Sequence, residues 1–288
     1  MSEPLIQNVS DTAFMVAEYR AMETERSDAL FRDPFAARLV GDHGAKIVAS
    51  MPASFLGGWS VSIRTVIIDE FLRTAIARGV DTVLNLGAGL DARPYRMDLP
   101  ASLRWIEVDY PEVIDLKEAR LSDEKPQCRL ERVRMDLTDR AARQRLFSRL
   151  GTESKEILVL TEGVIPYLRI ADVAALADDL HAESTFRSWV VDYFSRESLR
   201  YRKRQGLGRA LQNAPFLFDP PDWFGLFADH GWRRRDIKYI AEESERLHRK
   251  IPLPRLMKAL ITIGGFFAPK ARREAFKKFV GYALLERV

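Results

Sequence analysis

The spacing of apolar positions changes character near residue 80. Between Ser62 and Arg78 they recur about once per helical turn, at Val66, Ile67, Phe71 and Ile76, and Gly79 supplies the stop. Upstream, Thr12 to Arg26 has few helix breakers and Asp33-Pro34 opens a second helix. Met51 to Gly58 is rich in Pro and Gly and reads as an interruption. Downstream, short apolar runs replace the helical period: Asp81 to Leu86, Leu103 to Val108, Leu130 to Met135, Glu156 to Thr161 and Ser188 to Tyr193. Each of the first three gaps can hold a helix, so the pattern predicts an α/β fold, a parallel sheet with helices on both faces. Arg235 to Ile240 and Gly281 to Arg287 read as a final antiparallel pair. Ser195 to Pro221 is expected to form helices over the sheet edge, and Arg246 to Lys278 a basic, partly apolar helical insertion.

Composition narrows the class. A chain of 288 residues, 47% hydrophobic, can bury one sizeable core, so a single domain with an elaboration is expected. The 45 basic and 41 acidic side chains make a mixed surface, which argues against nucleic acid as a partner. The excess is uneven, however. Arg233 to Val288 holds 15 basic and 6 acidic residues, net +9, which suits either a solvated helical face or attraction of an anionic substrate or acidic carrier protein. One cysteine, Cys128, and four scattered histidines give no disulfide and no metal site, and point to a reducing, cytoplasmic setting. No run reaches the ~18 apolar residues of a membrane span, and no signal-peptide pattern opens the chain.

The chemistry begins at Gly87-Ala88-Gly89-Leu90-Asp91-Ala92, after a Val/Leu strand. Glycine serves there because the chain must turn sharply and let a ligand approach the backbone. Glu107-Val108-Asp109 ends the next strand, where a carboxylate can accept both hydrogen bonds of a ribose diol. A nicotinamide oxidoreductase and a methyltransferase would share both features. Three others favour a methyl donor. Asp136-Leu137 after the third strand suits an adenine amino group and ring, and Glu162-Gly163 after the fourth suits the cationic end of a methionine moiety. About 80 mostly helical residues also precede the first strand. Several carboxylates match a sulfonium better than a pyrophosphate.

The chain resembles the leucine carboxyl methyltransferase-like family of class I S-adenosylmethionine-dependent methyltransferases, which includes bacterial O-methyltransferases of polyketide tailoring. The likeness rests on Ser10-Asp-Thr-Ala13, Tyr19-Arg-Ala-Met-Glu23, Phe31-Arg-Asp-Pro-Phe-Ala36, Ile63-Arg-Thr65, Leu84 to Arg93, Trp105 to Asp109, Asp136-Leu137, Thr161 to Tyr167 and Gly281 to Glu286. It implies a Rossmann-like, seven-stranded, mostly parallel sheet with a reversed last strand, N-terminal helices and a helical cap. The implied regions of this single domain are a helical lid (1–80), a cofactor-binding core (81–194), a cap and insertion (195–278) and the last strand (279–288). The family's arginine that grips the methionine carboxylate corresponds to Arg64. Gly87 lies under the cofactor, Asp109 on the ribose, Asp136 with Leu137 on the adenine, and Glu162 with Gly163 at the methionine end. Arg20 belongs to the segment that folds over the cofactor.

Each site residue also has a plainer reading. Arg93 can bind Asp91 and nearby backbone as readily as cofactor. Arg64 near a helix start opposes the helix dipole, which argues for an anion beside it. Tyr167, Tyr193 and Phe194 lie near the ends of two central strands and are either core or substrate-pocket wall. No residue stands out as a general base, so the catalytic residue is left unassigned. That, with the family's carboxyl chemistry, favours methyl ester formation on a small organic or polyketide-like acid, oriented by a cation such as Arg20. The alternatives are phenol or alcohol O-methylation, a nicotinamide enzyme and a non-catalytic cofactor binder.

Overall fold

The computed structural model describes residues 9–50, 54–204, 214–252 and 270–288. Its centre is a seven-stranded sheet: β1 (Thr82–Leu86), β2 (Arg104–Asp109), β3 (Arg129–Arg134), β4 (Ile157–Thr161), β5 (Phe186–Phe194), β6 (Trp232–Tyr239) and β7 (Val280–Arg287). The order is β3-β2-β1-β4-β5-β7-β6, with β1 to β5 parallel and β7 antiparallel to both of its neighbours. All five residues of β1 and of β4 are buried, as their largely apolar sequences suit central parallel strands. The two edge strands, β3 and β6, carry three arginines each.

Side-chain alternation sends each strand into two cores. Val83, Trp105, Leu158, Val190 and Leu284 pack against Ile63, Ile67, Phe71 and Leu72 of α3 (Ser54–Ala77). Leu84, Ile106, Val159, Trp189 and Leu285 meet α6 (Arg140–Glu153), α7 (Ile170–His181) and α9 (Trp223–Asp229) on the other face. A third cluster joins α1 (Val9–Thr24) and α2 (Ala36–Ser50) to Leu90, Ala92 and Tyr95, beside the short α4 (Arg93–Arg96). The remaining helices are α5 (Pro111–Arg120), α8 (Arg196–Arg204), α10 (Ile240–Arg246) and α11 (Lys270–Lys277).

Two expectations change. The interruption expected at 51–58 is helical from Ser54, so α3 begins eight residues before the predicted Ser62. Its glycines are there for contact: a Cβ on Gly57 would lie 2.7 Å from the Tyr19 hydroxyl, so their absence lets α1 lie close against α3. Strand β6 begins at Trp232, three residues early, and has a register shift between Arg234 and Asp236. Of the two helical stretches expected after β5, the described residues show α8 and α11, whereas 205–213 and 253–269 lie outside the described residues. Among the described residues no helix is long and apolar enough to cross a membrane.

Candidate functional site

The strand order reverses between β1 and β4, and the crevice at their carboxyl ends is where a sheet of this kind receives a ligand. A cavity of about 620 Å³ opens there. Gly87 turns the chain out of β1 at φ +68°, and a Cβ on it would lie 2.4 Å from a Val164 methyl. The Gly89 N–H donates to Asp109 Oδ2 at 2.6 Å and the Tyr110 N–H to Oδ1 at 2.7 Å. Asp109 thus supports the loop while its carboxylate lines the cavity, and burial pushes its pKa up. Helix α1 covers the loop, with Ala13 against Gly89.

Beneath the loop lies a network of charges. Arg93 is fully buried and donates to Asp69 of α3 (2.7 Å), to Asp91 (2.8 Å) and to Glu162 at the end of β4 (2.6 Å). Burial alone would raise the carboxyls of Glu162 and Asp91, but Arg93 leads the cations that hold both below the ordinary range. Arg64 of α3 places Nε 2.7 Å from Glu162 Oε1 as an ion pair, yet off the line of a hydrogen bond, which leaves that buried N–H without an aligned acceptor. Tyr282 of β7 and Asp192 of β5 also act on Arg64, whose pKa stays above the ordinary arginine value despite burial. Asp192 accepts the Gly163 N–H at 2.9 Å, and burial pushes its carboxyl up to about 7.

The structure sorts the predicted residues. Arg64, Glu162, Gly163, Asp109, Asp136 and Leu137 border the cavity, as does the loop through Gly87, Ala88, Gly89 and Asp91. Arg20 and Tyr167 line it too; Arg20 donates to Asp33 (2.9 Å) and to the Leu90 carbonyl (2.6 Å), fastening α1 over the loop. Three lie off it. Arg93 is beneath the floor. Glu107 has no exposed surface and is held by Lys117 (2.7 Å) and Arg132 (3.0 Å). Tyr193 points to the opposite face of β5, stacked on Phe224, while Phe194 turns into the cavity.

Sequence reasoning missed Asp192, Tyr282, Tyr19 and Phe216. Asp192 had a usable signal, since it shares the strand parity of Phe194; Phe216 sits in an irregular stretch with none.

A comparison with protein families matches residues 13–181 to leucine carboxyl methyltransferase, more than half of the chain. The chain belongs to that family. Similar proteins include a candidate S-adenosyl-L-methionine-dependent methyltransferase of Streptomyces avermitilis, 32% identical, covering 84% of this chain and 89% of that one. Another, from Mycobacterium tuberculosis, is 31% identical over 86% and 87%. Among solved structures, a DUF574 family protein of Streptomyces avermitilis aligns with a TM-score of 0.54 at 15% identity, over 94% of this chain and 97% of that one. One of Thermobifida fusca described as a methyltransferase aligns at 0.55 and 13%, over 94% of each. At such identities these two bear on the fold alone. As a member of this family the protein is an S-adenosylmethionine-dependent methyltransferase. The cavity fits that cofactor: it is of ligand-site size, roughly 300–1,000 Å³, and it pairs a buried, incompletely bonded Arg64 with carboxylates at three successive strand ends.

Proposed function

We propose that the protein methylates a carboxylate oxygen of a small, largely apolar acid. The observation that carries this reading is the cavity wall beyond the glycine loop. Met15, Tyr19, Val61, Tyr167, Phe194 and Phe216 form much of it, and no histidine, lysine or cysteine lines the cavity among the described residues. Burial raises the phenols of Tyr110 and Tyr282 and pushes Tyr19 up to about 12, so these three stay protonated and offer hydrogen bonds rather than a base. A carboxylic acid, with an ordinary pKa near 4, arrives already ionised and needs no base.

The bound cofactor supplies an electrophilic methyl group on a sulfonium sulfur. Arg64 would hold the methionine carboxylate, Glu162 the ammonium, Asp109 the ribose hydroxyls, and Asp136 with Leu137 the adenine. Arg20 would hold α1 over the site, and Tyr19 would donate a hydrogen bond to the entering carboxylate. The chain's work is alignment and exclusion of water, as a direct displacement requires.

Incubation with S-adenosylmethionine and matched acids, phenols and alcohols tests the reading. It expects base-labile methyl esters from the acids; stable methyl ethers from phenols, with the acids inert, would overturn it. Asp109→Ala should weaken S-adenosylhomocysteine by about 1–3 kcal/mol through the lost charged hydrogen bonds, measured by calorimetry, and unchanged affinity would remove Asp109 from the site.

A further inference from the structure

Part of the cavity wall is built where two strands meet. Because β5 and β7 run antiparallel, Phe194 at the end of one pairs with Val280 at the start of the other, and the Ser195 N–H donates to the Phe279 carbonyl at 2.8 Å. Helix α8 departs from this point and α11 arrives at it, so both stand at the carboxyl edge of the sheet. Phe194, Tyr201 and Val280 line the cavity.

Both helices are basic. The α8 sequence RESLRYRKR has five basic residues and one acidic, as does KARREAFKK, which is α11 with Lys278. Each also presents an aromatic side chain to solvent: Tyr201 is 53% exposed and Phe276 54%. Their rings converge on Phe279, at 6.5 and 4.8 Å between centroids. Leu217, 46% exposed, adjoins the cavity-lining Phe216. Exposed apolar side chains on two basic helices, with Arg200 and Lys278 also exposed, therefore stand beside a largely apolar stretch of the cavity wall.

We propose that this rim docks on an anionic phospholipid surface. The basic residues meet the headgroups, while Tyr201, Leu217 and Phe276 enter the interface, the division of labour of a basic amphipathic surface on a membrane. An acidic protein would answer the charge equally, but it gives no reason for Tyr201, Leu217 and Phe276 to be exposed beside the cavity wall. The acceptor is then an amphiphilic acid drawn from the bilayer, a step that rests on the carboxylate reading above.

The test is co-sedimentation of the full chain, without cofactor, with vesicles of phosphatidylcholine alone or mixed with phosphatidylserine. Binding is expected to the mixed vesicles only. Arg200→Glu combined with Lys278→Glu should lower it by about 25-fold or more, at roughly fivefold per basic residue lost. Phe276→Ser should lower it by about tenfold. S-adenosylhomocysteine affinity, unchanged in both variants, shows that they fold. Absence of binding to either vesicle overturns the proposal. So does binding that polyglutamate abolishes and Phe276→Ser leaves intact, which would assign the rim to an acidic protein. Vesicle binding without ester formation on any acid would leave the docking in place and remove only the carboxylate reading.

Discussion

Asp192 and Glu107 are both buried carboxylates of central strands, and their partners make them opposites. Glu107 meets two cations, Lys117 and Arg132; Asp192 has the Gly163 N–H and the field of Arg64, which do not offset its burial. Its folded pKa of about 7 lies above the ordinary aspartate value near 4. Between those values the folded chain keeps a proton that the unfolded chain has released. The resulting penalty is absent below pH 4, grows as pH rises to about 7 and is constant above. Asp192→Asn keeps an acceptor for Gly163 and removes that penalty. Its stability relative to the parent should therefore rise by a few kcal/mol between pH 4 and pH 8, read from urea midpoints; parallel pH curves would contradict this. The sequence showed Glu107 and Asp109 as candidate acids but not Asp192, and not this sorting. Glu107 and Asp109 share one face of β2, and only folding brings Lys117 to the first and the Gly89 N–H to the second.

Among elements, Arg93 does what neither helix propensity nor strand pattern reveals. It links α3, the glycine loop and the end of β4 through partners 24, 2 and 69 residues away. Local spacing could suggest only the nearest, Asp91. Arg93→Met leaves three buried carboxylates short of a cation and should cost about 3–5 kcal/mol in denaturant unfolding. Arg93→Lys should recover little of it, because one ammonium cannot reproduce the guanidinium fork. A loss below 1 kcal/mol would show that Arg64 and Arg96 suffice. The start of α3 was hidden for a related reason: Gly57 and Gly58 resemble a break until Tyr19 of α1 is seen lying against them.

At the scale of the molecule, the central strands were legible because parallel strands inside a sheet are largely apolar on both faces, whereas the reversed last strand was legible only through the family resemblance, since the roughly forty residues between the last two runs could hold a crossover as easily as a hairpin. The cavity wall was less so, since it draws on α1, α3, six strand ends and Phe216 at once. That construction predicts linkage. S-adenosylhomocysteine at 100 times its dissociation constant should stabilise the protein by about 2.7 kcal/mol and slow amide exchange in α1 as well as in the glycine loop. Exchange in α1 unaffected by the ligand would mean that the helix is no lid. The order of the sheet has a consequence for synthesis. Among the described residues β6 pairs only with β7, which leaves the ribosome some forty residues later. Until then β6 is a lone ribbon, and its Arg233, Arg234 and Arg235 supply the charge that keeps an unpaired strand from finding a stranger.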